Sequence, residues 1–113
     1  MRRMVMYEYK AKVTKVVDGD TVDCDVDLGF YMTAKIRFRL ARINTPEVRG
    51  TEKEDGLVSK QWLIDFLNSH NNEIIVRTAK TGKYGRWLGE IIIGETNVND
   101  ELVKTGHAEY VTY

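Results

Sequence analysis

From Tyr7 to Leu40 the chain alternates apolar and polar residues almost without a break, and a period of two over that length demands a sheet with one face buried. Tyr7, Tyr9, Ala11 and Val13 fall on one face, and Glu8, Lys10, Lys12 and Thr14 on the other, in a strand that continues to Val17. Asp18-Gly19-Asp20 follows as a turn, because Asp-Gly supplies the positive φ that tight hairpins need. Beyond it Val22, Cys24, Val26 and Leu28 are expected to point inward, with Asp23, Asp25 and Asp27 outward. A third strand is expected from about Met32 to Ile43, with Ile36, Phe38 and Leu40 toward the core and Lys35, Arg37 and Arg39 away from it.

After Gly56 the period changes. Val58, Trp62 and Phe66 recur every four residues with Leu63 and Leu67 beside them, the stripe of an amphipathic helix that would place Trp62 in the core. Strands are expected again at Glu73–Thr78 and Arg86–Ile93. Asn99 then reads as an N-cap, with Asp100 and Glu101 in the first turn, Lys104 in the last and Gly106 as the stop. Three strands, a helix, two strands and a short helix make a mainly β, α+β chain. The expected architecture is a five-stranded Greek-key barrel of the OB type, with the amphipathic helix after the third strand and a short C-terminal helix. The 113 residues suit a single domain, 1–113. No apolar run approaches the ~18–20 residues of a membrane span. Cys24 is the single cysteine, so an internal disulfide and a Cys-based zinc site are both excluded. Met1–Met6 lead into no apolar h-region, and a cytoplasmic location is the resulting expectation.

Three clusters pair a turn with groups suited to phosphate or metal: Val17–Val22, Arg39–Glu47 and Lys83–Arg86. Phosphodiester hydrolysis needs an activated water and stabilisation of charge on the equatorial oxygens. A hard cation held by oxygen ligands polarises the phosphate, and arginine forks bind its oxygens without ever deprotonating. In chain order, DGDTV (Asp18–Val22), FRLxxIxTPE (Phe38–Glu47), KYGR (Lys83–Arg86) and VNxxLVxxG (Val98–Gly106) resemble the staphylococcal nuclease (thermonuclease) family, over about Lys12 to Ala108. Each motif alone is common in turns; the four in this order are specific. The resemblance implies an OB-type barrel and Ca²⁺-dependent endonucleolytic hydrolysis of DNA and/or RNA, single-stranded or unpaired, with little sequence preference.

Carried over position by position, the resemblance implies that Asp20 is a calcium ligand and that Thr45 is a second one through its backbone carbonyl. Pro46 helps there, since it drives the residue before it to extended geometry. Glu47 matches the general base, Arg39 and Arg86 the two phosphate arginines, and Lys83 and Tyr84 contacts to a nucleotide phosphate. Asn44 stands where the family has a second carboxylate ligand; an amide oxygen still coordinates calcium, but the lost charge implies weaker binding. Two further departures are the acidic loop from Val48 to Gly56 and the absence, up to Tyr113, of the family's long C-terminal helix. The missing helix raises the expectation of a partner or a dimer covering barrel surface. The competing reading is a catalytically impaired module of the same fold that binds nucleic acid or a protein. The presence of Arg39, Glu47 and Arg86 together favours the enzyme.

Other residues read as ordinary structure. Asp23, Asp25 and Asp27 resemble the opening of an EF-hand loop, but the glycine at loop position 6 and the glutamate at position 12 are missing, so a solvent-facing strand is favoured. His70 and His107 lack partners at metal-ligand spacing, and Cys24 alternates into the core as an inert thiol. Trp87 could line a groove where bases stack, though packing is the stronger expectation, and Tyr110 and Tyr113 align with no family position without a gap. The 17 basic and 17 acidic residues cancel, which by itself argues against a polyanion ligand. The cancellation hides segregation. Residues 35–50 hold five bases and one acid, residues 75–89 four bases and no acid, and residues 18–34 five aspartates and no base. The arginine segments are thus positive and the Asp20 segment negative, which predicts a local site with weak long-range steering.

Overall fold

The computed structural model describes residues 7–80 and 86–111. Long strands β1 (Tyr7–Asp18), β2 (Thr21–Gly29) and β3 (Met32–Leu40) form a meander, followed by the two-residue strand β4 (Ile43–Asn44). A 3-10 turn at Gly50–Glu52 leads into α1 (Lys53–Asn68). Then come β5 (Glu73–Lys80), β6 (Trp87–Ile93), the short β7 (Thr96–Asn97), α2 (Val98–Lys104) and β8 (Glu109–Tyr110). The sheet order is β3-β2-β1-β5-β6-β7, and a parallel pairing of β3 with β6 closes the first five into a barrel. Closure removes the open edges that a five-stranded sheet would otherwise expose. The mainly β OB-type barrel expected from the alternation is therefore the fold, with one helix after the third strand and a short helix late in the chain.

The barrel interior is filled by the inward set of each strand. Val22, Phe38, Leu40, Val76 and Ile91 are wholly or almost wholly buried, and α1 contributes Leu63 and Leu67 while α2 contributes Val98 and Leu102. Cys24 lies in the same core, as alternation required.

Four local expectations need correction. Leu28 is 43% exposed, because the β2–β3 hairpin runs on past the core to a tip at Phe30 and Tyr31, both at positive φ. The third strand ends at Leu40 rather than Ile43: Arg42 adopts φ 68°, which turns the chain, and Ile43–Asn44 pairs with Glu109–Tyr110 in a separate small sheet. On α1 the buried seam runs Gly56, Ser59, Leu63, Leu67, while Val58 is 57% exposed. Trp62 and Phe66 flank that seam, half-buried, and Trp62 stacks on Phe66 and on His107. The helix turns its smallest residues inward because it packs against the backbone of Pro46–Glu47.

The fourth correction concerns α2. Its N-cap is Asn97, whose side chain accepts from the Asp100 N–H at 3.2 Å. Asn99 lies inside the helix and is wholly buried. Its Oδ1 accepts from the Ile91 N–H at 3.2 Å, and its Nδ2 donates to the Ala41 and Gly89 carbonyls at 3.0 and 2.9 Å. One amide thus satisfies backbone groups from both sides of the β3–β6 closure, which a buried polar side chain must do to be tolerated. Gly106, at φ 84°, ends α2 as expected.

Candidate functional site

Two glycines let three segments meet at one corner of the barrel. A Cβ on Gly19 would sit 2.9 Å from both the Ser59 Cβ and the Thr45 Oγ1, so the Asp18–Asp20 turn touches α1 and the loop after β4 directly. A Cβ on Gly56 would collide with the Glu47 carbonyl oxygen and lie 2.8 Å from the Pro46 carbonyl oxygen. The first half of α1 is therefore packed backbone to backbone against Pro46–Glu47, which is why its inward face begins with glycine and serine rather than the larger Val58. From the other side, β8 pairs Glu109 with Asn44, and Ser59 Oγ donates to the His107 carbonyl at 2.7 Å. The loop carrying Asn44, Thr45 and Glu47 is clamped on both flanks.

Asp20 sits at the centre, only 7% exposed. Its Oδ2 accepts from the Thr45 N–H at 3.0 Å and pairs with Arg39 Nη2 at 3.2 Å, while its Oδ1 accepts from Thr21 Oγ1 at 3.2 Å. Arg39 is itself held: Nη1 donates to the Leu40 carbonyl at 2.7 Å and Nη2 to Asn44 Oδ1 at 3.1 Å. Register explains the meeting, since Thr21 pairs with Arg39 across β2–β3 and the Leu40 N–H donates to the Asp20 carbonyl at 2.8 Å. The structure thus joins Asp20, Arg39, Asn44 and Thr45 into one network.

Asp18, which the sequence pattern marks only as a turn residue, belongs to the same corner. Its Oδ1 accepts from the Asp20 N–H at 3.1 Å. Burial, then the hydrogen bond shared with the Asp20 carboxylate and the charge of that carboxylate, push the Asp18 carboxyl up to about 6. For Asp20 burial works against ionisation, but the hydrogen bond from Asp18, the Thr45 N–H and the Arg39 charge outweigh it and hold its pKa below the ordinary value. Two carboxyls that share a proton while lying close together are pushed apart in this way. The Asp-x-Asp spacing around Gly19 was the signal available in the sequence.

The outward residues of β3 carry the site further. Lys35, Arg37 and Arg39 alternate along one face, and with Thr21, Ile36, Arg86 and Trp87 they line a groove of about 470 Å³. Arg39 and Arg86 face this same groove because β3 and β6 run parallel, with Arg39 opposite Leu88. Arg37 is also bidentate to Asp23, at 2.7 and 3.1 Å. Glu47 stands exposed at the end of the clamped loop and makes no ion pair among the described residues. Lys83 and Tyr84 lie outside the described residues, as does Tyr113. Tyr110 donates to Asp100 Oδ1 at 3.0 Å beneath the Arg42 guanidinium, so it braces β8 rather than entering the groove.

The oxygens that could hold a cation at the corner are the Asp18 and Asp20 carboxylates, the Asn44 amide oxygen and, by the family resemblance, the carbonyl of Thr45, whose N–H bonds Asp20. All are hard oxygens, which suits Ca²⁺ or Mg²⁺ and not a thiolate- or imidazole-seeking metal. Only two of the four carry charge, and no group of three His, Cys, Asp or Glu side chains comes together among the described residues. Such a set is chemically compatible with a hard cation, and Arg39 already bonds two of its members, Asp20 and Asn44.

Comparison with known proteins agrees with this geometry. The sequence profile of staphylococcal nuclease homologues matches residues 37–113. Endonuclease YhcR of Bacillus subtilis is 38% identical over 89% of this chain, which is 9% of that protein. An uncharacterized endonuclease of Haemophilus influenzae is 36% identical over 86% of this chain and 49% of its own length. The uncharacterized protein MJ1439 of Methanocaldococcus jannaschii is 31% identical over 88% of this chain and 58% of its own. The chain thus spans less than two thirds of each of these relatives.

Proposed function

This chain belongs to the staphylococcal nuclease family, and on that premise we propose that it is a nuclease: a Ca²⁺-dependent endonuclease that hydrolyses phosphodiester bonds of DNA and/or RNA, in single-stranded or unpaired stretches, with little sequence preference. The observation that carries the proposal is the Asp20–Arg39 ion pair, anchored by the Thr45 N–H at the mouth of a groove that Arg86 also lines. It brings carboxylate and amide oxygens beside two guanidinium groups, a combination that would suit phosphodiester hydrolysis.

In this reading Asp20, Asn44 and the Thr45 carbonyl would hold the cation, with Asp18 completing the acidic face, and the chemistry such a cation would supply there is polarisation of the phosphate. Arg39 is oriented in advance by the Leu40 carbonyl and Asn44. Its fork receives the phosphate oxygens and stabilises the charge that grows on them. Arg86 binds the same phosphate from the β6 side of the groove. Glu47, exposed on a loop that α1 and β8 hold fixed, accepts the proton of the attacking water. Relatives described as endonucleases in two bacteria support the same activity class.

Heat-denatured DNA incubated in calcium, in magnesium and in EDTA, beside Glu47→Ser and Arg86→Ala, tests the proposal. Cleavage that disappears with chelation and in both variants is expected. Binding without cleavage, indifferent to Glu47→Ser, would instead establish a binding module of the same fold. Cleavage surviving both variants would place the activity elsewhere.

A further inference from the structure

The groove beside Arg39 has a composition that the cleavage site alone does not require. Its rim is cationic, with Lys35, Arg37, Arg39 and Arg86, while Ile36 and Trp87 add apolar surface and Trp87 remains 38% exposed. The alternation of β3 sets this arrangement. Lys35, Arg37 and Arg39 project to one side at intervals of about 6.8 Å, twice the rise of a strand residue. That interval is comparable to the separation of successive phosphates in an extended single strand. Trp87 stands opposite Phe38 in the parallel β3–β6 pairing, beside Ile36, so its ring borders the apolar part of the groove while the charges stay at the edge. Asp23 holds the Arg37 guanidinium in place with two hydrogen bonds and also cancels part of its charge. Lys35 is exposed on the same rim.

An apolar wall with an aromatic ring and a spaced cationic rim is the chemistry of a single-strand nucleotide, whose base stacks and whose phosphates pair. We propose that this groove is a nucleotide subsite adjoining the cleavage corner: Trp87 stacks the base next to the scissile phosphate, and Arg37 and Lys35 hold the phosphates that follow. The inference rests on the nuclease reading of the Asp20–Arg39 corner for its substrate class. It assigns to Lys35, Ile36 and Trp87 a positioning role in keeping one strand in register. A duplex, with its bases already paired and stacked, could not use the apolar wall, so the groove also selects unpaired strands.

Binding of a fluorescently labelled oligothymidylate octamer, followed by anisotropy in EDTA so that no cleavage intervenes, tests the subsite. Trp87→Ala should weaken binding roughly 5- to 150-fold, the range for loss of one stacked base, and Trp87→Phe should recover most of it. Phosphate contacts at Arg39, Arg37 and Lys35 set the slope of log affinity against log salt near about −2, and Lys35→Ala should lower its magnitude by about 0.7. Lys12→Ala, on the outer face of β1, is the control and should change neither value. If the octamer fails to bind wild type, or if Trp87→Ala and Lys35→Ala leave affinity and salt slope unchanged, the subsite is overturned. Because Lys35→Ala alters only an exposed residue, its result stands even if Trp87→Ala folds poorly. The two readings separate cleanly. Groove-dependent binding without cleavage in calcium keeps the subsite and ends the nuclease proposal, and cleavage with unaffected variants does the reverse.

Discussion

Replacing Gly56 by alanine adds one methyl group where α1 rests on the Pro46–Glu47 loop. The new Cβ would lie 2.5 Å from the Glu47 carbonyl carbon and 2.8 Å from the Pro46 carbonyl oxygen, against the 3.4 Å at which ordinary contact begins. Those neighbours are backbone atoms, so relief requires the helix and the loop to part by about 1 Å, not a side chain to rotate. Two terms oppose each other in stability. Alanine favours a helix interior by ~1 kcal/mol over glycine, and overpacking a tight contact costs ~1–3 kcal/mol. The net loss is therefore small, about 0–2 kcal/mol by those same scales. Activity is more sensitive, since displacement of a reacting group by about 1 Å can cost ~100-fold. The expected result is a fall in kcat/KM of about two orders of magnitude on denatured DNA, with a modest shift of the urea midpoint. Leu57→Ala, at an exposed position in the same turn, controls for helix effects. A Gly56→Ala protein more stable than wild type and undiminished in cleavage would refute the packing argument.

Three further outcomes follow from the same corner and core. Asn44→Asp restores a charge to the donor set and should tighten calcium binding in a direct titration; equal or weaker affinity would contradict the assigned ligand. Asp18 has its folded pKa raised from 3.8 to about 6, so its contribution to stability is full below 3.8 and lost as pH rises through about 6. In EDTA the urea midpoint of Asp18→Asn should lack that decline, and in wild type calcium affinity should fall as pH drops through about 6. Burial, reinforced by the Asp23 and Asp25 charges, pushes the Cys24 thiol up to about 12. Ellman's reagent at pH 8, well below that value, should therefore leave the folded protein untouched and titrate one thiol once urea unfolds it.

Much of this was legible in the chain because it is local. The period of two in β1–β3 fixes which residues fill the barrel. The turn between β1 and β2 lies at Gly19–Asp20 as expected, but Gly19 does not take the positive φ expected of it; glycine is needed there for its close approach to Ser59 and Thr45. Arg39 and Asn44 were identifiable through the resemblance of Phe38–Glu47 to the family motif, and the structure brings both to Asp20. What escaped the sequence depends on distant partners. The inward face of α1 is chosen by the backbone of Pro46–Glu47, which favours Gly56 and Ser59 over the apolar stripe through Val58. Asn99 carries the residue type of a cap, yet barrel closure recruits it into the core, and the capping passes to Asn97. Asp18 looks like a turn carboxylate until burial beside Asp20 is known. The groove through Lys35 and Trp87 exists only because β3 and β6, nearly fifty positions apart, run side by side.

The most direct test of the account is the cleavage rate of Arg39→Lys on single-stranded DNA in calcium. Lysine keeps a positive charge near Asp20 but cannot fork between a phosphate, the Leu40 carbonyl and Asn44. The account predicts a loss of about 10²–10³-fold in kcat, the scale for removing one transition-state donor, with the barrel still folded. A variant that cleaves at the wild-type rate would show that the Asp20–Arg39 corner is not where the phosphodiester bond is broken.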